Sequence, residues 1–303
     1  MKMVDYIKLL LTDINLQRLG NLPYLEFIRG VSERTGELLD KKEANYHYCK
    51  ITVYDTGTIV FSGSLHKLCN SLKNLNPSKF NNNKGFNGNQ FTFKDLVEMK
   101  NHLMKLFDCE PDQMQIRSIE IGINAEPEFD PALFIKGLLY HKNKMFEYRY
   151  NGDFARVSHQ HFDLKIYNKS SQYGMNTFTL RFELKFSKMF EMKSIGIQTF
   201  ADINQNNLKD ACKLLLKRFA EVVYYDKTIY NHGLKKPQIK SLERYSNPRY
   251  WIDELKPNHR HRHKEKLNQI ILNNSQNLYQ KLRTEMIKKC SIITQLPESE
   301  IVA

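Results

Sequence analysis

Cysteine is scarce in this sequence, and its spacing is irregular. Five cysteines in 303 residues make an odd number, and no two of them form a CxxC pair. A disulfide framework uses an even set in a small secreted domain, and a zinc knuckle or redox motif needs closely spaced pairs. We therefore expect reduced thiols in a cytosolic protein. The five residues are Cys49, Cys69, Cys109, Cys212 and Cys290.

Long apolar runs are also absent. No stretch approaches the roughly 20 apolar residues that a membrane-spanning helix requires. The opening MKMVDYIKLLLTDI has an apolar stretch of only a few residues, interrupted by charge, which does not fit a signal peptide. We expect a soluble cytoplasmic protein without a membrane partner.

Several catalytic motifs are missing. The chain has no GxxxxGK[ST] loop to cradle nucleotide phosphates, which excludes a P-loop ATPase or helicase motor. It also has neither GxSxG nor HExxH, the motifs of α/β-hydrolases and zinc proteases.

Acidic residues are outnumbered by basic ones. The chain has 46 Lys and Arg against 33 Asp and Glu, and residues 235–290 alone hold 14 against 5. This excess favours a polyanionic partner, nucleic acid first and an anionic membrane surface second. Two basic helices are predicted in this region. Between them, KPNHRHRHKE is interpreted as a loop whose Arg260 and Arg262 contact phosphates.

Hydrophobic periodicity predicts strands and helices in alternation. HYCKITVYDTGTIVFSGSL predicts a hairpin that turns at 55–57, and SLHKLCNSLKNL a short helix. TFKDLVEMKNHLMKLF predicts a helix capped by Thr92, and DPALFIKGLLYHKN one that starts at Pro131. The Asn- and Gly-rich residues 76–90 predict a loop, and QIRSIEIGINAE predicts a strand.

The second half repeats this order of elements. Two strands, in MFEYRYNGDFARVS and HFDLKIYNK, are followed by a strand in NTFTLRFELKFSK and a helix in LKDACKLLLKRFAEVVYY. The fold class is therefore predicted as α+β, an antiparallel sheet with helices packed on one face. We expect a catalytic domain over 1–234, with two related α+β sub-units at 40–140 and 141–234, and a basic helical region over 235–303.

One strand carries an unusual row of ionisable groups. In HFDLKIYNKSSQYG, alternation places His161, Asp163, Lys165, Tyr167 and Lys169 on one face. The ordinary interpretation is a solvated sheet surface, where cross-strand polar pairs contribute roughly 0.2 to 1 kcal/mol each. Periodicity supplies the geometry of this face and does not supply a reaction.

Two further strands have polar faces. Glu120 and Asn124 come from IEIGIN, and Arg181 and Glu183 from LRFELK. If these strands are neighbours, about 4.8 Å apart, their side chains converge. Two carboxylates beside a phenol make a candidate site for Mg²⁺ or Mn²⁺, with Tyr167 as nucleophile toward a DNA phosphate.

The ordered set FSGSLHKLCN, IEIGIN, KIYNKSSQYG and LRFELK resembles the phage and plasmid replication initiation proteins of the gene II/X type. The resemblance covers about residues 45–205. It implies rolling-circle initiation: nicking of one strand at an origin, a covalent 5′-phosphotyrosine, a free 3′-OH for the host polymerase, and later religation, with a divalent metal. The implied partners are double- and single-stranded origin DNA. A host helicase, a host polymerase and a second copy of the chain are further candidates.

The resemblance also suggests residue roles. Tyr167 and Lys169 match the KIYxK motif, Tyr173 the aromatic of QYG, and Arg181 the RFE arginine; Tyr173 and Tyr150 are the alternative nucleophiles. Glu120 and Glu183 match the carboxylates expected to hold the metal. The DNA-contacting candidates are His66, Lys67, Lys165, Arg260 and Arg262.

Histidines leave one question open. Many rolling-circle nickases hold metal with a His-hydrophobic-His strand, whereas SHQHF places glutamine between His159 and His161. His161 is a candidate ligand, and the alternative is an exposed polar residue near a phosphate-binding surface. His66 is either a site residue or a packing histidine.

The predicted function is a replication initiator that nicks and religates DNA. Two alternatives stand beside it: a conjugative relaxase with the same chemistry, and a sequence-specific DNA-binding protein without catalysis.

Overall fold

The computed structural model describes residues 3–80 and 84–301, so residues 81–83 of the predicted loop lie outside the described part. The strands are β1 (Val4–Leu11), β2 (Ile28–Val31), β3 (Leu38–Tyr46), β4 (Cys49–Tyr54), β5 (Ile59–Ser64), β6 (Met114–Ala125), β7 (Leu138–His141), β8 (Lys144–Met145), β9 (Glu147–Arg149), β10 (Phe154–Ser158), β11 (Phe162–Asn168), β12 (Leu180–Phe186) and β13 (Val222–Tyr224). The helices are α1 (Leu16–Gly20), α2 (Leu65–Leu72), α3 (Phe93–Phe107), α4 (Pro131–Ile135), α5 (Lys169–Tyr173), α6 (Phe190–Ser194), α7 (Gln205–Ala220), α8 (Lys236–Tyr245), α9 (Pro257–Asn274), α10 (Leu278–Thr294) and α11 (Glu298–Ile301).

The chain forms two compact units that alternate along the sequence. The first unit consists of Met1–Gly122 and Lys185–Ala211, and the second of Ile123–Leu184 and Cys212–Ala303. Strands β6 and β12 pass through both units, and the large sheet has ten strands in the order β2-β3-β4-β5-β1-β6-β12-β11-β10-β9. The predicted sub-units at 40–140 and 141–234, and the separate region from 235, stay predictions.

The first unit is built around β1, which pairs antiparallel with β5. The predicted β4–β5 hairpin is confirmed, and Gly57 has the positive φ of +84° that its turn requires. Helix α2 begins after Ser64, whose hydroxyl accepts from the Lys67 backbone N–H. Helix α3 begins with the capping box of Thr92 and Asp95.

The second unit contains β11, β10 and β9, which come after β12 in the order of the large sheet. β10 and β11 pair antiparallel, with Arg156 opposite Lys165. Helix α7 packs on this part of the sheet, and Phe219 meets Phe182 edge to face at 5.3 Å. A small second sheet has the strand order β13-β7-β8.

The basic helices share a core with the small sheet. Trp251 is fully buried in a cluster with Tyr140, Tyr245 and Leu267. Asp226, also fully buried, follows β13 and caps the start of α10, because its carboxylate accepts from the Leu278 backbone N–H at 2.9 Å. The same carboxylate accepts from the Thr228 backbone N–H and hydroxyl.

Two predicted helices and one predicted loop differ from the structure. The helix that starts at Pro131 ends at Ile135 and gives way to strand β7. Between them lies Gly137, where an added Cβ would lie 2.4 Å from the carbonyl oxygen of Tyr225, the residue after β13. The backbone at this position therefore has no room for a side chain. KPNHRHRHKE is not a loop, because Pro257 starts α9 and the motif lies mostly within that helix. The second basic helix, predicted over HKEKLNQIILNNSQNLYQKLRTEMIKKC, is interrupted at 275–277, where Asn277 has φ +51°.

The predicted fold class is confirmed: the chain is α+β, with a large antiparallel sheet and a helical C-terminal region. Among the described residues, no helix is both long and apolar enough to span a membrane. The cytoplasmic location stays a prediction.

Candidate active site

Three buried carboxylates converge on neighbouring strands of the sheet. Asp5 lies on β1, Glu120 on β6 and Glu183 on β12, and their relative exposures are 5%, 8% and 3%. One oxygen of each lies within 4.8 Å of the other two. Glu120 alternates with Ile119 and Ile121 along β6, and Glu183 alternates with the buried Phe182 and Leu184 along β12, whereas Asp5 lies where the register of β1 shifts between Val4 and Ile7.

Asp5 is held by polar neighbours from the same unit. The Ser64 hydroxyl donates to its Oδ1, and Asn87 Nδ2 donates to its Oδ2 at 3.0 Å. Glu120 pairs with Lys185, whose Nζ lies 3.2 Å from Oε1. These contacts fix the orientation of both carboxylates before any ligand arrives.

Glu183 is the centre of a network in the second unit. Lys165 Nζ donates to its Oε1 at 2.9 Å, and Arg181 Nε donates to its Oε2 at 2.7 Å. Arg181 is fully buried and also donates from Nη1 to Asn124 Oδ1 at 3.0 Å. The Tyr167 hydroxyl donates to Glu183 Oε2 at 3.4 Å, a long and weak hydrogen bond.

The number of positive groups equals the number of acidic ones. Lys165 and Arg181 contact Glu183, and Lys185 contacts Glu120. The negative charges of Asp5 and Glu120 act to raise the pKa of the Lys67 amine, but burial is the larger effect and lowers this pKa. With a divalent cation added, the site would carry a net positive charge, which suits a phosphodiester.

The donor set fits a hard divalent cation. Oxygen ligands lie about 2.1 Å from Mg²⁺ and about 2.5 Å from Ca²⁺, so two ligands of one ion are at most about 4 to 5 Å apart. The three carboxylate oxygens lie within 4.8 Å of one another, which is inside the limit of about 5 Å for the larger ion and slightly wider than the limit of about 4.2 Å for Mg²⁺, so binding Mg²⁺ would draw them together. His161 does not belong to this group of ligands, and its role as a ligand stays a prediction.

The three candidate tyrosines occupy different surroundings. Tyr167 is partly exposed, and its ring stacks on Phe154 across the β10–β11 pair at 5.8 Å. Tyr173 is 7% exposed, and its ring lies beneath the Lys169 ammonium at 5.6 Å. Tyr150 is 77% exposed in a short turn between β9 and β10. Of the three, Tyr167 has a hydrogen bond to a carboxylate of the cluster.

The row of ionisable residues is shorter than the alternation predicts. β11 ends at Asn168, whose side chain accepts from the Ser171 backbone N–H and starts α5. Lys169 is therefore the first helical residue, fully buried, and does not extend the face of Tyr167. His161 precedes the strand instead of lying on it. Lys165 is the lysine that the strand places beside Glu183.

His159 is engaged elsewhere in the second unit. Its Nε2 lies 2.8 Å from Nδ1 of the fully buried His141, whose Nε2 lies 3.1 Å from Glu221. Burial opposes ionisation of Glu221, but hydrogen bonds from His141 and Arg218 outweigh it and lower the Glu221 pKa to about 2. The ring of His159 also packs on Phe162 at 4.9 Å.

The predicted DNA-contacting residues have different exposures. His66 is fully buried, with Nε2 at 2.7 Å from Asn89 Oδ1, so a direct contact with DNA would require it to move. Lys165 is bound to Glu183, and Arg260 donates to the Leu255 and Ile252 carbonyls. Arg262 is exposed on α9. Their DNA contacts stay predictions.

Sequence reasoning missed Asp5 and gave no role to Lys185. Asp5 belongs to a strand whose register with β6 shifts between Val4 and Ile7. This irregularity breaks the alternation set by the buried Ile7, Leu9 and Leu11, which would otherwise place Asp5 on the core face, so the sequence pattern carried no signal for Asp5. Lys185 extends the polar face of LRFELK by one further position.

No protein-family model matches the chain, and no curated protein sequence matches it. Among solved structures, a rolling circle replication initiator protein from Geobacillus stearothermophilus is similar, with a TM-score of 0.40 and 12% identity over 80% of this chain and 95% of that chain. A similarity at this level carries no argument about function. The gene II/X resemblance therefore rests on the motifs alone.

Proposed function

We propose that this protein is a metal-dependent DNA nicking and closing enzyme that initiates rolling-circle replication. Asp5, Glu120 and Glu183 would hold Mg²⁺ or Mn²⁺, and Tyr167 would be the nucleophile. The observation that carries the proposal is the hydrogen bond between the Tyr167 hydroxyl and Glu183, one of three carboxylates spaced to share a cation.

The proposed reaction exchanges one ester for another. Tyr167 Oη attacks the scissile phosphorus, the P–Oη bond forms and the P–O3′ bond breaks. The phenolic proton passes toward Glu183 Oε2, which already accepts it in a hydrogen bond, and the departing 3′ oxygen takes up a proton from solvent water to leave as a free hydroxyl. Religation reverses each step, with the 3′-hydroxyl attacking the phosphotyrosine.

The surrounding residues have separate tasks in this scheme. A divalent cation would polarise the phosphate and offset the charge that develops on it. Lys165 and Arg181 would orient Glu183 and keep it ionised until it accepts the phenolic proton, through contacts of 2.9 and 2.7 Å. Arg262 and the other basic residues of α9 would add salt-sensitive contacts to DNA phosphates. Host helicase, host polymerase and a second copy stay predicted partners.

The test is adduct formation on supercoiled DNA of the replicon that encodes the protein, with Mn²⁺ present. We expect relaxed circles that carry covalently bound protein, and mass spectrometry should find the nucleotide on the peptide with Tyr167. Tyr167→Phe should abolish the adduct and leave DNA binding intact, whereas Tyr173→Phe and Tyr150→Phe should retain it. An adduct that survives Tyr167→Phe would move the nucleophile to another tyrosine.

A non-catalytic DNA-binding function is the second candidate. It is favoured by the ion pairs of the cluster, because Lys165 and Arg181 already contact Glu183, and Lys185 contacts Glu120. In that case the cluster is a structural ion network, and the protein would bind DNA tightly without relaxing supercoiled circles in Mn²⁺ or Mg²⁺.

A further inference from the structure

The segment Lys84–Phe91, here called the Asn strap, lies against the acidic cluster. Its sequence, KGFNGNQF, is typical of a loose linker. The structure instead gives most of its residues a partner in the first unit: the Lys84 carbonyl accepts from Lys67, and the Phe86 carbonyl accepts from Asn70 Nδ2 at 2.8 Å. Phe91 is 2% exposed and stacks on the His66 ring at 4.9 Å.

Two carboxamides clamp the middle of the strap. Asn70 and Asn89 exchange hydrogen bonds in both directions, at 2.8 and 3.0 Å. Asn89 Oδ1 also bonds His66 Nε2 at 2.7 Å. Both Asn70 and His66 lie on α2, so the strap is fastened to a helix that starts at Ser64, itself a partner of Asp5.

Gly85 sets the path of the strap. It has φ +58°, and a Cβ added there would lie 2.8 Å from the Tyr48 ring. Only glycine combines this conformation with this approach at little cost. The tight passage over Tyr48 directs the following residues toward β1, where Asn87, 6% exposed, donates to Asp5.

From this geometry we infer that Asn87 is a positioning residue that sets the affinity of the acidic cluster for its cation. Asp5 accepts from Ser64 at one oxygen and from Asn87 at the other, so its carboxylate plane is fixed from both sides. Residues that hydrogen-bond a metal ligand contribute to metal affinity because they remove the cost of orienting it. The inference rests on the proposed cation site and extends it to a loop that no ligand motif marks.

The test measures Mn²⁺ binding by the full-length protein, from the free-Mn²⁺ electron paramagnetic resonance signal, without DNA. Asn87→Ala should weaken Mn²⁺ binding by about 10-fold or more. Asn101→Ala, an exposed asparagine on α3, is the matched control and should leave binding unchanged. Gly85→Ala keeps the Asn87 side chain in the sequence but displaces the strap that positions it, so this variant should weaken Mn²⁺ binding as well.

The outcomes separate the two claims. If the wild type binds Mn²⁺ and Asn87→Ala binds it equally well, the inference is overturned and the proposed site survives. If the wild type does not bind Mn²⁺, the proposed cation site itself fails. Circular dichroism and the thermal midpoint report whether each variant is folded. If Asn87→Ala unfolds, Gly85→Ala decides: unchanged Mn²⁺ binding there would overturn the inference.

Discussion

Replacing His159 with glutamine is expected to change how the stability of the second unit depends on pH. The His159–His141 hydrogen bond at 2.8 Å needs one donor and one acceptor nitrogen, and His141 also bonds Glu221. A second proton on this pair would place two N–H groups face to face. The positive charges of Lys142, Lys144 and Arg218 also oppose a second proton on the pair.

The magnitude follows from the pKa of His159. Burial, and next the charge of His141, lowers this pKa from 6.5 to about 4. Below pH 6.5 the unfolded chain binds a proton that the folded chain refuses, so stability is present above pH 6.5 and is lost as the pH falls toward 4. At 1.36 kcal/mol per pKa unit, the wild type should lose about 2 kcal/mol between pH 7 and pH 5 from this group.

The variant lacks the titrating imidazole and therefore the loss of stability at low pH, and it also lacks the His159–His141 hydrogen bond. His159→Gln should be about 1 kcal/mol less stable than wild type at pH 7, where the lost bond matters. At pH 5 it should be about 1 kcal/mol more stable, and the two stability curves should cross near about pH 6.

Urea unfolding followed by tryptophan fluorescence is the appropriate assay. Trp251 is the single tryptophan and is fully buried in the second unit, so its emission reports on the unit that contains His159. His232→Gln, an exposed loop histidine, is the control and should follow the wild-type curve. Parallel pH profiles for wild type and His159→Gln would refute the reasoning.

Three further variants test separate parts of the structure. Arg181→Met leaves the buried Glu183 with one cation fewer and should cost about 3 kcal/mol in urea unfolding, and a cost below about 1 kcal/mol would show that Lys165 suffices. Thr92→Ala removes the capping box of α3 and should cost about 1 kcal/mol, seen as a lower thermal midpoint; no change would mean that tertiary packing alone defines the helix start. Arg262→Ala should weaken DNA binding and reduce the slope of log affinity against log salt by about 1, and an unchanged slope would remove this residue from the phosphate contacts.

Elements with strong local signals were predictable from the sequence. Gly57 marks the β4–β5 turn, Thr92 and Asp95 define the start of α3, and strict alternation defines β11. Each signal lies within a few residues of the element that it specifies. Tertiary contact decided the other cases: the close approach of Gly137 to Tyr225 ends α4 early, and the Asx cap of Asn168 diverts Lys169 from the sheet.

The candidate site was predicted in part. The motif residues Glu120 and Glu183 do come close together, but Asp5 could not be assigned without knowing which strand lies beside β6. The contacts of Asn87 and Asn89 in the strap could not be predicted either, since a loop sequence does not reveal what its side chains bind. A local pattern can show that a carboxylate faces one side of a strand, and only topology shows what it meets there.

Asp226 links the stability of the small sheet to that of the basic helices. Its buried carboxylate joins the segment after β13 to the first turn of α10. A chain shortened before α9 would expose that charge group and the apolar surface around Trp251 together. We therefore expect the positively charged end of the protein to unfold with the small sheet as one cooperative block, so that amide protons of β13 and α10 exchange at similar rates.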